Sequence, residues 1–349
     1  FWLKRDSRES LTPKYTRTHV NRNTLGIDKS SRCVLTLRAP FDVRVVLYSF
    51  PLTSLKQQHN THTPTQQVPE MDIKRGKSKN KNELSMSVRT AVGNVTITPS
   101  KVAEMIDRIV DKEDKKTQFV LPSHDIMTFE SGKNKTRRMH DLNSKWIVDT
   151  LTELKKRDVK VRVLLPVVAI SDYKDEYLRK IELERMQEVT NIANDDKNNV
   201  DGFVVLGLNR GESNKEFASM LNKTVSAIRE GSPSKSICVR RVVSYPQFKH
   251  CIDIGVNLVE FLYPHYTTSE GHAVSCVSCK DFERLNLWDK RYAIDAKPLS
   301  TQCSCFACQN HVRAYVHHLL HTHEILARVL LYIHNLNNAY RWIKSYCKD

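Results

Sequence analysis

From Leu84 onward, short apolar runs of strand length alternate with longer stretches in which apolar residues recur every three or four positions. The short runs are typical of buried β-strands, and the three-to-four spacing is typical of amphipathic α-helices. One such unit joins the run at 161–168 to a stretch with Tyr177, Ile181 and Val189 on one face. Repeated units of strand followed by helix predict a parallel sheet that is covered by helices.

Local signals predict where several elements begin. The run Ser213-Asn214-Lys215-Glu216 has the spacing of a capping box, which predicts a helix that continues through Ile228. Pro99 and Ser100 predict the start of an earlier helix, and Gly93-Asn94 predicts a turn between two strands. The predicted buried strands lie at 119–121, 161–168, 203–206, 237–243 and 258–262.

This alternation does not distinguish an open doubly wound sheet from a closed barrel. The sequence has no G-x-G-x-x-G motif after its first buried strand, which weighs against a dinucleotide-binding fold. Residues 1–30 and 50–82 are polar and lack periodicity, so we expect 1–83 to be an irregular N-terminal region that includes the start of the sheet. Residues 84–302 then form the main α/β domain, and 303–349 form a C-terminal subdomain with a final helix.

The balance of charge favours a polyanionic partner or an acidic membrane surface. The chain of 349 residues has 55 Lys and Arg residues against 39 Asp and Glu residues, a net charge of +16. Its basic residues concentrate at 74–81 and 133–138, where a solvated loop is the competing interpretation. Neither run contains aromatic residues, so stacking on single-stranded bases is not indicated.

Three of the nine cysteines lie almost side by side, at Cys303, Cys305 and Cys308. Sulfurs this close on one loop are typical of a tetrahedral structural zinc site, which takes a fourth ligand from elsewhere. Clustered cysteines also favour a reducing compartment over a disulfide framework. Spacing alone leaves the fourth ligand open. The candidates are His311, His317, His318, His321, His323, His334, Cys276 and Cys279.

His334 can reach the three thiols only if the chain folds back. In one straight helix that begins at His311, His334 would lie roughly 30 Å from the sulfurs. We therefore expect a helical hairpin with its hinge at 321–323, where Thr322 caps the second helix and Glu324 lies in its first turn. Such a hairpin returns His334 to the loop.

The C-terminal motif resembles the zinc end of the tRNA-guanine transglycosylases. Cys303, Cys305, Cys308 and His334 fit that family's C-x-C-x2-C-x25-H pattern, with 25 residues between Cys308 and His334. The resemblance is highly specific over the last fifty or so residues. It is weaker, although in the same order, back to about Leu84.

This resemblance implies a fold and a metal site. The fold is an α/β, TIM-type (β/α)8 barrel with a C-terminal zinc-binding helical subdomain. One structural Zn²⁺ is implied on the three thiols and His334, which selects His334 over His311 and leaves Cys276 and Cys279 as bystanders. In such barrels the chemistry lies at the C-terminal ends of the strands, where Glu260 falls.

Catalytic members of the family carry residues that this chain lacks. The resemblance implies an Asp nucleophile on a barrel strand, and Glu260 stands at that position. Tyr266 and Ser269 stand where arginines of a segment that grips tRNA are expected. The family's D-S-G-G-F-Q motif is absent between Cys33 and Ser87. We therefore expect no catalytic residue in this chain.

The region that forms the base pocket in catalytic members is changed as well. Val242-Val243-Ser244-Tyr245-Pro246 stands where they carry M-G-V-G-x-P, and the large Tyr245 would fill the base cavity. The loop at 207–212 is similar to the family's G-L-x-V-G-E loop except at Arg210. This loop either contacts substrate or is a turn preserved for its shape, and we favour the second interpretation.

These changes resemble the noncatalytic accessory subunits of the eukaryotic enzymes. The resemblance implies a heterodimer with a catalytic subunit, and tRNA as the second partner, with exchange of the guanine at the anticodon wobble position. It implies a cytoplasmic location, with peripheral attachment at the cytosolic face of the mitochondrial outer membrane. Two alternatives stay open, namely an active transglycosylase with Glu260 as nucleophile and a zinc-containing RNA-binding scaffold protein.

Overall fold

The computed structural model describes four short strands before residue 84 and most of the chain after it. The described ranges are 25–27, 33–35, 44–46, 73–74, 84–90, 93–109, 118–124, 132–171, 176–276 and 282–346. Most of the first basic run and Cys279 lie outside these residues.

Contacts divide the chain into two compact units. The central unit comprises 60–241 and 249–258, and the C-terminal unit comprises 1–59, 242–248 and 259–349. Each unit is compact in space but is built from separated stretches of the chain. The boundaries expected at residues 84 and 303 follow chain order instead, and they stay a prediction.

A curled parallel sheet of half-barrel form is the main feature of the fold. Its strands are β3 (Arg44–Val46), β7 (Gln118–Val120), β8 (Arg162–Val168), β9 (Val200–Leu206), β10 (Ser236–Val242) and β11 (Leu258–Phe261). They are ordered β3-β11-β10-β9-β8-β7, and pairs β7–β8, β8–β9 and β9–β10 are parallel. The predicted α/β class with a parallel sheet is therefore confirmed. The complete barrel of eight strands stays a prediction.

Helices that follow these strands bury their apolar faces as the periodicity predicts. Those of the central unit are α1 (Pro99–Ile109), α2 (Lys133–Lys156), α3 (Glu176–Asn194) and α4 (Asn214–Gly231), and α5 (Tyr245–Asp253) follows β10. The capping box is confirmed at α4, where Ser213 Oγ accepts the Glu216 backbone N–H at 3.3 Å and Glu216 accepts the Ser213 N–H at 2.8 Å.

Close packing between β9 and β10 depends on a residue without a side chain. A Cβ atom at Gly202 would lie 2.0 Å from the Ser236 carbonyl oxygen, so no larger residue fits here without movement of the backbone. Beside it, Phe203, Val204 and Val205 are completely buried. The continuous apolar run of β9 is explained by this burial on both faces of the sheet.

One local prediction is wrong, and one competing interpretation is excluded. Gly93 and Asn94 do not form a turn, because both already belong to β6 (Gly93–Ile97), where they pair with Thr90 and Arg89 of β5 (Met86–Thr90). With β4 (Ile73–Lys74) these strands form a separate antiparallel sheet. The second basic run is not a loop, because α2 begins at Lys133. The helix is favoured over a solvated loop there because Thr136 and Met139 bury one of its faces.

After β11, the described part of the C-terminal unit contains one antiparallel strand pair and four α-helices. Its elements are the paired strands β1 (Leu25–Ile27) and β2 (Cys33–Leu35), helix α6 (Tyr263–Ser269), the antiparallel strands β12 (His272–Cys276) and β13 (Phe282–Asn286), and helices α7 (Phe306–Asn310), α8 (Arg313–His321) and α9 (Ile325–Tyr346). In the part of the chain that the structure describes, no helix has the length and apolar character needed to cross a membrane.

The predicted helical hairpin is present, but its hinge is capped differently. The Thr322 hydroxyl donates to the carbonyl oxygens of His318 at 3.0 Å and Leu319 at 3.3 Å. Thr322 therefore caps the end of α8 and not the start of α9. His323 takes the left-handed backbone conformation with φ 57°, which reverses the chain between the two helices.

Glu182 is an acidic side chain in the apolar interface of α3, and only 2% of its surface is exposed. Its Oε2 accepts the backbone N–H of Ser171 at 3.0 Å, while Oε1 has no hydrogen-bond partner among the described residues. Burial raises the pKa of Glu182 to about 7. The folded state therefore holds this proton more tightly than the unfolded chain does.

We expect Glu182→Gln to stabilise the protein at pH 8 and to have little effect at pH 5. The stability penalty of the carboxylate begins near the unfolded pKa of 4.5 and is complete above pH 7, because the folded state must then release its proton. A shift of this size corresponds to about 3 kcal/mol. Thermal melts of both proteins at the two pH values measure it, and an equal gain at both would contradict ionisation as the cause.

Candidate metal centre

Backbone geometry at the start of α7 brings the three thiols together. Cys305 is the residue before the helix, and its carbonyl oxygen accepts the backbone N–H of Cys308 at 3.1 Å. This bond closes one helical turn and places the side chains of Cys305 and Cys308 on the same face. Cys303 precedes them in a turn and is also buried. The loop thus presents three sulfurs toward one point.

His334 completes the cluster from α9. Its Nδ1 lies 3.2 Å from Cys308 Sγ and 3.7 Å from Cys305 Sγ. The four possible ligand atoms all lie within 4.8 Å of one another. Bonds of about 2.3 Å from zinc to sulfur and about 2.0 Å to nitrogen would separate tetrahedral ligand atoms by roughly 3.5–3.8 Å. The geometry therefore fits one metal ion with small adjustments of the side chains.

Electrostatics around the thiols also favours a cation. Hydrogen bonds from Cys305 and Cys308 lower the pKa of Cys303 far below its ordinary value. The hydrogen bond with Cys303 raises the pKa of Cys305 to about 11 and raises that of Cys308 as well. One thiolate is thus stabilised by two neighbouring thiols. A divalent ion would supply the charge that allows all three sulfurs to ionise.

Asn338 supports the cluster from one helical turn beyond His334. Its amide nitrogen lies 3.2 Å from Nε2 of the His334 ring and donates to the His334 carbonyl oxygen at 3.0 Å. It also contacts Cys303 Sγ at 3.6 Å. Contacts of this kind orient a metal ligand and stabilise a thiolate. Sequence reasoning missed Asn338, although a polar residue four positions after a ligand on a buried helix face is a usable signal.

Asn335 fixes α9 to two other elements of the same unit. Its Oδ1 accepts the Val274 backbone N–H at 2.8 Å, which joins α9 to β12. Its Nδ2 donates to the His272 carbonyl oxygen at 2.9 Å and to the hydroxyls of Thr268 at 3.0 Å and Thr267 at 3.2 Å. The side chain of Asn335 is buried, and these bonds fix its position directly after His334 in the helix.

None of the other described candidates joins the thiols in a possible metal-binding group, and Cys279 and the side chain of Cys276 lie outside the described part of the structure. Among the residues that the structure describes, the cluster of three thiols and His334 is the only group of three or more His, Cys, Asp or Glu side chains placed to hold a metal ion. His311 instead stacks on the ring of Tyr315, with centroids 5.1 Å apart. The four residues brought together are the ones that the family resemblance implies.

Tyr245 fills space beside β11 in the C-terminal unit. It is 3% exposed, and its ring packs against Phe261 at 5.3 Å, Tyr263 at 5.0 Å and Trp342 at 4.7 Å between centroids. Glu260 is buried too, as are its neighbours in β11, Val259 and Phe261. The position expected to be small in a base pocket is therefore occupied by an aromatic ring held by three others.

The loop at 207–212 uses its acidic residue to hold its own shape. The Glu212 carboxylate accepts the backbone N–H groups of Asn209 and Arg210, the latter at 2.7 Å. Asn209 has φ 59°, and its side chain donates to the Arg241 carbonyl oxygen. These bonds support a turn preserved for its shape, because they already occupy both oxygens of the carboxylate.

A curled parallel α/β sheet, followed by a C-terminal cluster of three thiols and one imidazole, is the combination of a transglycosylase-type chain. The family model described as Queuine tRNA-ribosyltransferase matches residues 52–346. The chain therefore belongs to the queuine tRNA-ribosyltransferase family.

The similar proteins include accessory subunits and a bacterial queuine tRNA-ribosyltransferase. The accessory subunit 2 of queuine tRNA-ribosyltransferase from Danio rerio is 30% identical over 202 residues, which are 46% of each chain. That from Homo sapiens is 30% identical over 194 residues, 45% of each chain. The queuine tRNA-ribosyltransferase of Lachnospira eligens is 31% identical over 137 residues, 39% of this chain and 34% of the relative. The chain thus spans less than half the length of these relatives.

We expect Cys305→Ser to abolish stoichiometric zinc binding and to unfold the helical hairpin. A hydroxyl is a poor zinc ligand, and structural zinc contributes on the order of 10 kcal/mol to small sites. Zinc content by elemental analysis and hairpin protection by hydrogen exchange measure the two effects. Cys238→Ser is the matched control, since it changes a buried thiol outside the cluster and should leave zinc content unaltered. A Cys305→Ser protein that keeps one zinc ion would contradict the assignment.

We expect Asn335→Asp to destabilise the protein while the zinc content stays the same. The substitution keeps the shape and the acceptor but removes the donor to His272, Thr268 and Thr267, at a cost of about 2–4 kcal/mol. Denaturant unfolding with parallel metal analysis separates the two readouts. Exposed Asn310 provides the control substitution to Asp, which should change stability by less than about 0.5 kcal/mol. Loss of zinc at native conditions would argue against a purely structural role for Asn335.

Proposed function

We propose that this chain is a noncatalytic subunit of the heterodimeric queuine tRNA-ribosyltransferase, which exchanges guanine for queuine at the wobble position of tRNA. The observation that carries this proposal is the packing of Tyr245 against Phe261, Tyr263 and Trp342. A pocket filled by four aromatic rings leaves no room for a nucleobase beside β11. The similarity to accessory subunits supports the same conclusion.

Glu260 does not restore activity in this proposal. A glutamate places its carboxylate more than an angstrom away from the position of an aspartate carboxylate, and misplacement on that scale costs about 10²-fold in rate. Glu260 is also only 1% exposed, so an attacking oxygen would have no open path to a ribose. We assign no catalytic residue to the chain.

One structural Zn²⁺ on Cys303, Cys305, Cys308 and His334 belongs to the proposal as well. Four protein ligands leave no open position for water, so the ion would act as a cross-link and take no part in the reaction. It would hold the thiol loop against α9. The complete TIM-type (β/α)8 barrel, of which the structure describes the curled half, is the fold that we propose around this subdomain.

Exposed apolar residues in the C-terminal unit support binding of a catalytic subunit. Ile294 is 92% exposed and Ile325 is 68% exposed, and Leu326 and Tyr315 are also exposed. Within α9 the apolar stripe divides, because Leu330 is buried whereas the two residues at its start are not. The first turn of the helix is therefore available to a partner, and the later turns form core.

Charge supports tRNA as the second partner. The net charge of +16 is accompanied by a group of exposed basic side chains in the first turns of α2, namely Lys133, Lys135, Arg137 and Arg138. Phosphate contacts from such residues supply affinity that does not depend on sequence. A cytoplasmic location, with peripheral contact at the cytosolic face of the mitochondrial outer membrane, completes the proposal.

We expect the isolated chain to show no exchange of labelled guanine into tRNA, and an equimolar mixture with a catalytic homologue to exceed the homologue alone. Glu260→Gln should leave the activity of the mixture unchanged, because the carboxylate takes no part in the reaction. Turnover by the isolated chain that disappears in Glu260→Gln would establish an active transglycosylase instead. Binding of tRNA without any effect on the homologue would identify an RNA-binding scaffold.

A further inference from the structure

Two histidines one helical turn apart lie at the end of α8, outside the four-residue cluster. The rings of His317 and His321 have their centroids 4.3 Å apart with an interplanar angle of 55°. Side chains at positions i and i+4 of a helix project from the same face. Two imidazoles that approach this closely can direct one nitrogen each at a shared ion.

The tautomer of His317 is fixed by the backbone. Its Nδ1 lies 2.8 Å from the Leu287 carbonyl oxygen. A carbonyl oxygen only accepts, so Nδ1 carries the proton and Nε2 carries the lone pair. The residue is 8% exposed, and Nε2 has no hydrogen-bond partner among the described residues. A histidine whose other nitrogen donates to a backbone carbonyl is the usual arrangement of a metal ligand.

His321 is exposed but is held in place by rings on two sides. The indole of Trp288 meets it edge to face at 5.4 Å, in addition to its contact with His317. Trp288 is itself fixed, because its Nε1 donates to the Glu270 carbonyl oxygen at 3.0 Å. The pair therefore loses little side-chain entropy when it binds an ion.

The helix also favours a cation at this place. His317 and His321 lie in the last two turns of α8, which ends at His321. The aligned peptide dipoles of a helix give its C-terminal end partial negative charge. Imidazole nitrogen is a preferred ligand of Zn²⁺, Ni²⁺ and Cu²⁺.

We propose that His317 and His321 form a second metal site, which binds an exchangeable divalent transition-metal ion through two imidazole nitrogens and water. The site is distinct from the cluster of three thiols and His334 in ligand chemistry. With two protein ligands it is open to solvent, so its occupancy follows the free metal concentration. Loss of either histidine removes the chelate and leaves a single weak ligand.

The test is a titration of Ni²⁺ into the untagged, zinc-loaded full chain, followed by calorimetry and by tryptophan fluorescence. We expect one Ni²⁺ ion to bind in addition to the resident zinc and to quench the emission of Trp288. His321→Ala should weaken this binding by at least about tenfold. His318→Ala is the matched control, because it removes an exposed histidine of the same helix that has no ring partner among the described residues.

The variant Trp288→Phe tests where the Ni²⁺ ion binds, separately from how tightly it binds. This variant should bind Ni²⁺ with an affinity close to that of the unchanged protein but without the quenching, which would place the ion beside residue 288. The proposal is overturned if no second ion binds, if His321→Ala binds as tightly as the unchanged protein, or if His318→Ala weakens binding equally. Equal melting temperatures of the three variants, without Ni²⁺, exclude loss of folding as the cause.

Discussion

The C-terminal unit depends on the return of His334 to the thiol loop, from whose last cysteine it is separated by 25 residues. Three thiols leave one position of a tetrahedral site to be filled, and the imidazole reaches it because the chain reverses between α8 and α9. That reversal takes place at His323, where a left-handed backbone conformation with φ 57° follows the Thr322 cap. Residues other than glycine are uncommon in this conformation, so the conformational free-energy cost at His323 must be offset by other contacts. The buried contacts of α9 provide that compensation.

The polar residues of α9 show how the compensation is distributed. His334, Asn335 and Asn338 are all buried, in a helix whose other inward positions are apolar. Asn335 satisfies backbone and hydroxyl groups of β12 and α6, while Asn338 contacts the imidazole and one sulfur. Buried amides of this kind cost free energy unless each bond is made. They therefore specify one register of the helix, in addition to stabilising it.

Patterns along the chain predicted most of the elements and the grouping of the three thiols, whereas the choice of His334 came from the family resemblance because spacing left the fourth ligand open. The alternation of strand and helix, the capping box at Ser213 and the hairpin near residue 322 each rest on interactions between residues close in sequence, which is why local rules find them. The prediction that Thr322 caps the start of α9 was wrong, because a threonine between two helices can hydrogen-bond to the end of the first or the start of the second. The prediction of a turn at Gly93-Asn94 was wrong as well. Both residues pair with the neighbouring strand, although this residue pair favours turns.

Contacts between distant parts of the sequence were beyond reach. Tyr245 was expected to fill a cavity, but the ring nearest to it belongs to Trp342, almost a hundred residues later. Likewise, Glu182 has the spacing of a buried helix position, and nothing in its neighbourhood along the chain indicates a carboxyl group with its pKa near 7. Sequence shows which residues are large or ionisable, whereas only packing shows what surrounds them.

Helix α9 carries His334 near its middle and Trp342 two turns later, about 12 Å farther along the axis. The same rigid rod thus bears a ligand of the candidate zinc and a wall of the aromatic cluster around Tyr245. If Tyr245 were replaced with a small residue, the indole of Trp342 would still project into the space that its ring occupies. Moving the helix aside to clear the indole would displace the imidazole from the sulfurs. The packing around Tyr245 is therefore coupled to the position of His334, since the wall of the aromatic cluster and the anchor of the thiol loop are parts of one element.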